Sequence, residues 1–600
     1  MKTIRITSGI RSRLSSISLV MFLAGLTWVP SLQGQAIPLG SLDGWWRYTT
    51  LQGTYLKSAA EFQTVPAYLT DPTLSFPYQR RINPSTGQPY EKEMLFADGL
   101  YLVRPLGGWR TDWTQPGSEA SECSEDISQC DVWYRTVAGG IGYRWDRLFP
   151  RLDPVVWTSG YTNITLVLDN VPWGMPSPGT ATQGIFGQKT PAQYPSWLYW
   201  GSKQMCIELT NRYGSSVVNQ FRFRMGTEYN NEDRFNGTLT QYLQMHDWCG
   251  RGIKESLPNA LFGPFNGSGD FFEEDNLYPV AGHCTNGTNY ATRGIGAPFA
   301  FAPTSLYFVP RLNGTNIVGA SPLDAANARK TLWDAISNDF PSLAGWTREI
   351  HEFGIVGSEV LKAGSTNEFI ATSEPGARGT AQRFHTLVYL LQYGCRRAQH
   401  WSVSEYLRNG TSSVEMLNGE GWLYSIFDHY RGSAVPIYRQ TVFNSSTNST
   451  EFVSMVALLP DKVVVLVSAY NQWRNRHSLH QVTVLLPKNW FHGTNGQIAK
   501  LDRTTAFHDV ARANLSAAGL LLPDYQNNPD IIAEVGTMAG IPGRNYILNN
   551  LSYYQGVIQS SLTLRPLTGA DGSLTDYDST RYVLTLPNLP TPSVWAIVFD

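Results

Sequence analysis

The strongest constraint on the fold is a regular alternation of short apolar segments and amphipathic helices between about residues 95 and 405. This alternation is typical of a parallel sheet wrapped by helices. The segments with strand character are 99–106, 132–135, 164–171, 220–228, 261–266, 299–305, 346–354 and 397–402. Eight such strands over ~300 residues predict an α/β fold of the (β/α)8 TIM-barrel type. A doubly wound open sheet is the alternative, but no glycine-rich nucleotide turn follows the first strand.

Beyond residue 401 the pattern changes to segments of strand character separated by Pro and Gly turns. These segments are 452–459, 462–468, 481–486, 560–564, 581–586 and 594–599. Such spacing predicts a C-terminal antiparallel β-sandwich domain. We therefore expect a catalytic barrel over 96–435 and a sandwich over 436–600. The Pro- and Tyr-rich segment 37–95 is expected to pack on the sandwich or the barrel.

The first 36 residues have the pattern of an export signal. Four basic residues precede the apolar run 17–29, and the small residues of 34–36 suit cleavage near Ala36. An apolar run of 13 residues is shorter than the ~20 needed to span a bilayer, and no later stretch is long enough. We therefore expect a secreted, extracellular protein with no membrane span.

The cysteines and glycosylation sequons fit the same compartment. The chain has an even number of cysteines, and Cys123 with Cys130 is the favoured disulfide pair. Asn-x-Ser/Thr sequons occur at Asn163, Asn236, Asn266, Asn286, Asn313, Asn409, Asn444, Asn448, Asn514 and Asn550. Together with an export signal they predict disulfides and N-glycans. Asn266 ends a predicted strand, so it is expected to be an unglycosylated cleft residue.

Charge and composition exclude several classes of partner. Lys+Arg 46 against Asp+Glu 48 gives no basic field for a nucleic acid. The 19 Trp, 30 Tyr and 26 Phe supply aromatic faces that suit sugar rings, although many must be core residues. No spacing of Cys, His or acidic residues suggests a metal, and no motif suggests an organic cofactor. No Gly-x-Ser-x-Gly turn follows any predicted strand, which disfavours a serine hydrolase.

Two carboxylates end predicted strands at the edge where barrel enzymes carry their active groups. Glu228 ends the fourth predicted strand and Glu352 the seventh. Period-two alternation puts Arg224 on the inward face with Glu228, and groups Arg348 with Glu352 in the same way. His351 would then point outward.

Inward carboxylates are costly to bury unless they are paired or used. Glycoside hydrolysis requires two, of which one donates a proton and the other is ionised. Arg224 or Arg348 could hold Glu352 ionised, because a nearby cation lowers a carboxyl pKa. Alternatively, the glutamates are structural ion-pair partners of these arginines.

Three stretches resemble glycoside hydrolase family 39. They are 143–153 (YRWDRLFPRLD), 164–173 (ITLVLDNVPW) and 212–218 (RYGSSVV), and the last leads into the strand that ends at Glu228. Their order resembles that family over residues 95–405. The resemblance implies a clan A retaining glycosidase with a (β/α)8 barrel, an added β-sandwich and an oligo- or polysaccharide substrate. It also implies that Glu228 is the acid/base and Glu352 the nucleophile.

The resemblance has one departure and suggests further binding residues. The family has Asn before the acid/base, where it contacts the sugar 2-hydroxyl, whereas this chain has Thr227. We therefore expect the 2-position to be bound differently. The other candidates for substrate binding follow the third, sixth and eighth predicted strands: Asn170, Trp173, Tyr307, His400 and Trp401. A secreted carbohydrate-binding protein on an inactive barrel is the rival hypothesis, although it would not need both glutamates.

Overall fold

The computed structural model describes residues 37–38 and most of 64–600. The gaps after residue 64 are 94, 96–99, 104–131, 136–140, 169–170, 172–182, 185–186, 233, 269–275, 309–310, 314–315, 344, 356–357, 361–367, 371–373, 401–403, 410–411, 430–435, 444–449, 475 and 528–534. The predicted export signal and the predicted Cys123–Cys130 pair therefore lie outside the described residues.

Seven strands form a parallel series in the first half of the described chain. They are β1 (Leu100–Val103), β2 (Ile164–Leu168), β3 (Arg222–Met225), β4 (Leu261–Gly263), β5 (Phe301–Phe308), β6 (Thr347–Ile355) and β7 (Cys395–His400). β1 to β4 pair in that order, as do β5 to β7, and every pairing is parallel. A parallel bridge between Gly267 and Thr304 joins the two groups. Strand β2 is buried along its whole length, as expected of a parallel strand covered on both faces.

The strand predicted at 132–135 forms but does not join the parallel series. Trp133–Arg135 pairs antiparallel with Ile141–Tyr143, while β1 pairs directly with β2. A Gly-Gly pair at 139–140 lies between the two short segments in the sequence and favours a local hairpin over a place in the sheet. The predicted second strand is therefore an excursion from the parallel series.

Helices follow the parallel strands, as the alternation predicts. They are α1 (Trp145–Asp153), α2 (Ser196–Tyr213), α3 (Leu239–Ser256), α4 (Leu277–Asn286), α5 (Pro322–Asp339), α6 (Ala377–Gln392) and α7 (Gly419–His429). Helix α3 begins at a capping box in which Thr238 and Gln241 satisfy each other's backbone amides. Buried Trp333 of α5 donates to the carbonyl of Ala302, which fixes that helix on β5.

The C-terminal region contains two antiparallel sheets. Its strands are β8 (Pro436–Phe443), β9 (Thr450–Leu458), β10 (Val463–Asn471), β11 (Leu479–Pro487), β12 (Gly496–Asp502), β13 (Ser573–Asp576), β14 (Arg581–Pro590) and β15 (Ser593–Phe599). One sheet has the order β8-β9-β10-β15-β12, with Ile37–Pro38 beside β8 and Arg565–Pro566 beside β12. The other has the order β11-β14-β13.

Four helices interrupt these sheets, and the sequence pattern did not predict them. They are α8 (Phe507–Ala517), α9 (Pro523–Asn527), α10 (Val535–Asn549) and α11 (Leu551–Ser561). The predicted strand 560–564 is wrong, because its first residues complete α11. Its alternating pattern is too short to distinguish a strand from a helix end.

Helix α6 lies between the parallel strands and the larger antiparallel sheet. All of its residues from Ala377 to Leu391 are buried. Arg378 donates to the carbonyl of Gln472 at 2.6 Å, and the His385 ring lies 2.9 Å from the hydroxyl of Ser468. Because α6 has neighbours on both sides, its polar residues are buried along with its apolar ones.

The described cysteines correct the disulfide prediction. Cys206, Cys249, Cys284 and Cys395 are free and buried, so these four do not form the disulfides that the even cysteine count led us to expect. They lie in α2, α3, α4 and β7 as small apolar core residues. Burial raises the pKa of the Cys206, Cys249 and Cys284 thiols. Within the described residues, no helix is long and apolar enough to span a bilayer.

Candidate active site

Glu228 lies on a sharp turn directly after β3. Gly226 has φ +86° and Glu228 has φ +47°, which is uncommon for a side chain larger than glycine. Thr227 forms a parallel bridge with Asn266, and the Glu228 amide donates to the carbonyl of Asn266 at 3.2 Å. The turn places Glu228 at the end of the strand, where the residue is only 8% exposed. Backbone strain of this kind is concentrated at functional sites.

Glu352 reaches the same region through a β-bulge. Along β5 and β6, Thr304 pairs with Ile350, but the next residue, Ser305, pairs with Glu352. His351 is therefore the extra residue in β6, and strict alternation ends there. The bulge re-aims Glu352, which is 4% exposed, toward Asn266 and Ser305.

The same bulge overturns the predicted role of Arg348. Its guanidinium contacts Asp334 of α5 at 3.0 Å and donates to the carbonyl of Tyr393 at 2.9 Å. Arg348 therefore lies on the helix side of β6 and does not support Glu352. His351, expected to point outward, is instead fully buried against Arg224. Alternation failed because β6 is not a regular strand.

Two donors hold the carboxyl group of Glu352. The Tyr307 hydroxyl donates to Oε2 at 2.7 Å, and Nδ2 of Asn266 donates to Oε1 at 3.0 Å. A carboxyl group with both oxygens engaged is held in one orientation, which suits it to act as a positioned nucleophile.

Glu228 has a raised pKa. Burial and the neighbouring charge of Glu352 raise it to about 7, against lowering effects of Ser305, Arg234 and Arg224. A carboxyl group with this pKa is partly protonated near neutral pH and can donate a proton. Glu228 is therefore a buried proton donor beside a second buried carboxyl group, that of Glu352.

A buried ion chain lies beneath the two glutamates. Arg224 donates to the hydroxyl oxygen of Thr227 at 2.9 Å and contacts Nδ1 of His351 at 2.9 Å. Arginine can only donate, so Nδ1 accepts and the proton of the neutral ring is on Nε2. That nitrogen donates to Glu349 at 2.7 Å, and Arg222 donates to the same carboxylate at 2.6 Å.

The pKa values of this chain follow from burial and charge. Burial lowers the pKa of His351 to about 3, so the ring is neutral at physiological pH. Burial alone would raise the pKa of Glu349, but Arg222 and His351 hold it well below its usual range. As predicted, Arg222 and Arg224 share the inner face of β3, while Phe223 and Met225 lie in the apolar core.

Of the remaining predicted site residues, some contact the glutamate pair or its neighbours and others lie outside the described residues. Tyr307 contacts Glu352, and Thr227, 1% exposed, contacts Arg224. The backbone of His400 ends β7 and pairs with Phe353, whereas the His400 side chain is not among the described groups. Asn170, Trp173 and Trp401 lie outside the described residues and stay predictions.

Sequence reasoning missed residues that the structure brings to the carboxyl pair. Ser305 was not singled out, and Asn266 was only assigned to the cleft. Both are polar residues at the ends of apolar strands, which is the signal that identified Glu228 and Glu352. Asn266 is fully buried, so its sequon is not a glycan site in this fold. No cluster of His, Cys, Asp or Glu suited to a metal occurs among the residues described.

Comparison with known proteins supports a glycosidase-like fold. No protein-family model matches the chain. The crystal structure of a bacterial orthologue of human α-L-iduronidase aligns at TM-score 0.51 and 13% identity, over 84% of this chain and 76% of that one. A family 39 enzyme from Xanthomonas axonopodis pv. citri aligns at TM-score 0.49 and 12% identity, over 77% and 84% of the two chains.

One curated relative matches locally in sequence. Mouse α-L-iduronidase is 32% identical over 91 residues, which span 14% of this chain and 14% of the relative. The chain thus matches a small part of that protein's length. The glycosidase-like fold that the sequence indicated is confirmed by the similarity to the iduronidase orthologue.

Proposed function

We propose that the protein is a retaining glycoside hydrolase on a closed (β/α)8 barrel. The observation that carries the proposal is the pairing of a protonatable Glu228, with a pKa of about 7, and a Glu352 held in place by hydrogen bonds from Tyr307 and Asn266. Glycoside hydrolysis by double displacement requires one carboxyl group that donates a proton and a second that is positioned to attack. The seven parallel strands and the similarity in fold to an iduronidase orthologue support the barrel.

In the proposed reaction Glu228 protonates the glycosidic oxygen while Glu352 attacks the anomeric carbon. The bond from carbon to the leaving oxygen breaks as the ester to Glu352 forms. Glu228, now ionised, removes a proton from water, which displaces Glu352 and regenerates both groups. Retaining enzymes of this kind have carboxyl groups about 5–5.5 Å apart, which leaves no room for a water between carboxylate and sugar in the first step.

The substrate is proposed to be an oligo- or polysaccharide. The relatives act as α-L-iduronidase or belong to family 39 by their names, so a first panel should contain aryl α-L-iduronides and aryl β-xylosides. Because Thr227 replaces the family's Asn and is held by Arg224, glycosides that differ at the 2-position should be included.

Stereochemistry of the first product tests the proposal. Nuclear magnetic resonance of the first-formed sugar should show the substrate's anomeric configuration before mutarotation. An inverted product would contradict the mechanism. Saturable sugar binding without turnover over the whole panel would favour the rival hypothesis of a binding protein on an inactive barrel.

We also propose that the protein is exported and glycosylated, from the basic and apolar pattern of residues 1–36 and the sequons. Asn236, Asn286 and Asn550 are exposed and suit glycans. The amino-terminal sequence of protein recovered from medium should begin near residue 37, and enzymatic deglycosylation should lower its mass. Retention of residues 1–36 on a cell-associated protein would contradict export.

A further inference from the structure

The guanidinium of Arg224 contacts the residue that precedes each glutamate of the pair. One terminal nitrogen donates to the hydroxyl oxygen of Thr227 at 2.9 Å, and the other donates to Nδ1 of His351 at 2.9 Å. Thr227 is followed directly by Glu228, and His351 is followed directly by Glu352. Because Arg224 is fully buried, a single planar group joins the two backbone segments that carry the carboxyl groups.

The turn that carries Glu228 needs support from outside its strand. Gly226 and Glu228 have φ of +86° and +47°, and such backbone conformations persist where surrounding contacts hold them. Between them, Thr227 is held by its backbone bridge to Asn266 and by the side-chain hydrogen bond from Arg224. The hydrogen bond from Arg224 therefore helps to determine where the carboxyl group of Glu228 points.

The bulge that carries Glu352 is held in a similar way. His351 is the extra residue of β6, and its ring is fixed at both nitrogens, by Arg224 at Nδ1 and by Glu349 at Nε2, 2.7 Å away. A ring held on two sides restrains the backbone from which Glu352 starts. Arg222 donates to Glu349 at 2.6 Å, so both ends of this chain of contacts lie on β3.

We propose that Arg224 is a positioning residue that sets the separation of the two carboxyl groups, by holding Thr227 on one side and His351 on the other. This inference rests on the proposed function, and it deepens that function by naming the group that couples the placement of the acid to that of the nucleophile. Double displacement requires both carboxyl groups at defined distances from one anomeric carbon. A misplacement of about 1 Å can cost ~10²-fold in rate.

Two substitutions break the two hydrogen bonds separately. Thr227→Val removes the acceptor oxygen and keeps the shape of the side chain. His351→Gln removes the acceptor at Nδ1 and keeps a donor amide near the position of Nε2. Each has a matched variant that keeps the acceptor: Thr227→Ser retains the hydroxyl, and His351→Asn retains an oxygen near the position of Nδ1. Arg224 itself is unchanged in all four proteins.

The dependence of kcat/KM on the leaving group should differ between the two variants. Thr227→Val displaces the proton donor, so substrates with poor leaving groups should lose about 10–10²-fold and those with good leaving groups little. His351→Gln displaces the attacking carboxyl group, so all substrates should lose by a similar factor of about 10–10². Thr227→Ser and His351→Asn should recover most of each loss. An equal dependence in both variants would overturn the proposal, as would lower stability with unchanged rates.

Two controls separate positioning from packing and from sugar binding. Thr165 is a fully buried threonine of β2 whose hydroxyl has no hydrogen-bond partner among the described residues, so Thr165→Val should leave kcat/KM unchanged. Glycosides that lack the 2-hydroxyl should show the same loss in Thr227→Val as their parent glycosides. A loss that vanishes on these 2-deoxy substrates would assign Thr227 to sugar binding and overturn the proposal.

A third variant covers the case in which Thr227→Val or His351→Gln does not fold. Arg224→Lys keeps the buried charge but loses the planar fork that reaches two partners, so it should lose rate with good and with poor leaving groups. A loss confined to poor leaving groups would contradict the proposal.

A second readout does not depend on turnover. Crystal structures should show the Glu228 carboxyl group displaced by about 1 Å in Thr227→Val, and the Glu352 carboxyl group displaced similarly in His351→Gln, since shifts of this size matter for rate. A wild-type protein that cleaves no glycoside, with these displacements in its variants, would refute the proposed function and preserve the inference. An active wild type whose variants keep both carboxyl groups in place would do the reverse.

Discussion

The hydroxyl of Tyr307 donates to Oε2 of Glu352 across 2.7 Å, from the strand that neighbours the one that carries Glu352. Strands β5 and β6 are paired out to Tyr307 and Gly354, so this contact is fixed by the sheet and not by a loop. A rigid donor on one oxygen leaves Glu352 little freedom to rotate. Preorganisation of this kind keeps a nucleophile close to its attacking geometry.

Replacing Glu352 by Ala should abolish turnover, because no group remains to form the covalent intermediate. Azide should fit the vacated space and restore turnover as a glycosyl azide of inverted configuration. Rates with and without azide, with product analysis, check this. Glu255→Ala, which removes an exposed carboxylate on α3, is the control and should behave as wild type. Residual activity that azide does not change would argue against covalent catalysis by Glu352.

Glu228→Gln should lose about 10²–10⁴ in rate on substrates with poor leaving groups, the usual contribution of a placed proton donor. Aryl glycosides with good leaving groups should lose less in the first step. The wild-type rate should fall as pH rises through about 7, where Glu228 gives up its proton. That limb should be absent from the variant. Equal losses across all leaving groups would speak against the assignment.

Arg348→Met and Arg224→Met should differ in their effects on stability and rate, although sequence analysis gave the two arginines the same possible role. The Arg348 side chain is 23% exposed, and its ion pair with Asp334 should contribute under ~1 kcal/mol to stability and nothing to rate. Arg224 is fully buried, so its loss should cost about 3–5 kcal/mol and lower the rate by loosening Thr227 and Glu228. Urea unfolding and steady-state kinetics measure both. A larger rate loss in Arg348→Met than in Arg224→Met would show that Arg348 supports Glu352.

His351 should make the fold sensitive to acid. Its pKa falls from 6.5 to about 3 on folding, so between these values the unfolded chain binds a proton that the folded protein refuses. This contribution to stability is lost as pH falls, by at most about 1.4 kcal/mol per pH unit. His351→Gln should therefore show a flatter loss of stability from pH 7 to 5 than wild type. Exposed His492→Gln should match the wild-type slope.

The raised pKa of Glu228 acts in the opposite direction over the same pH range. Comparing slopes between the two proteins cancels that contribution, because both retain Glu228. Identical slopes for His351→Gln and wild type would mean that the ring is protonated in the folded protein.

Thiol titration should find at least four free cysteines in the unfolded, unreduced protein, since Cys206, Cys249, Cys284 and Cys395 are unpaired. In the folded protein these buried thiols should react slowly, because burial disfavours the reactive thiolate. Fewer than four thiols after unfolding would contradict the structure at these positions.

Regular strands were predictable from the sequence, whereas the irregular one was not. In β3 the alternation of Phe223 and Met225 with Arg222 and Arg224 specifies which face is inward, and the structure agrees. In β6 the extra residue His351 reverses the alternation. A bulge depends on pairing with β5, and no local pattern of side chains reports it.

Local sequence patterns also could not predict contacts between distant segments. Asn266 contacts both Ser305 and Glu352 because β4, β5 and β6 are adjacent, and adjacency is a property of the sheet. Helices α8 to α11 were missed because the preceding strands suggested an uninterrupted sandwich. The carboxyl pair was accessible to prediction because a glutamate at the end of an apolar strand is costly without a use.

Helix α6 limits where the protein can be shortened. Its fifteen consecutive buried residues are covered on one side only if the strands after residue 436 are present. A shortened version that stops at the end of the parallel region would remove Gln472 and Ser468, the partners of buried Arg378 and His385, and should be recovered as aggregate. The smallest soluble expression product that retains the glutamate pair therefore extends to the last strand, β15.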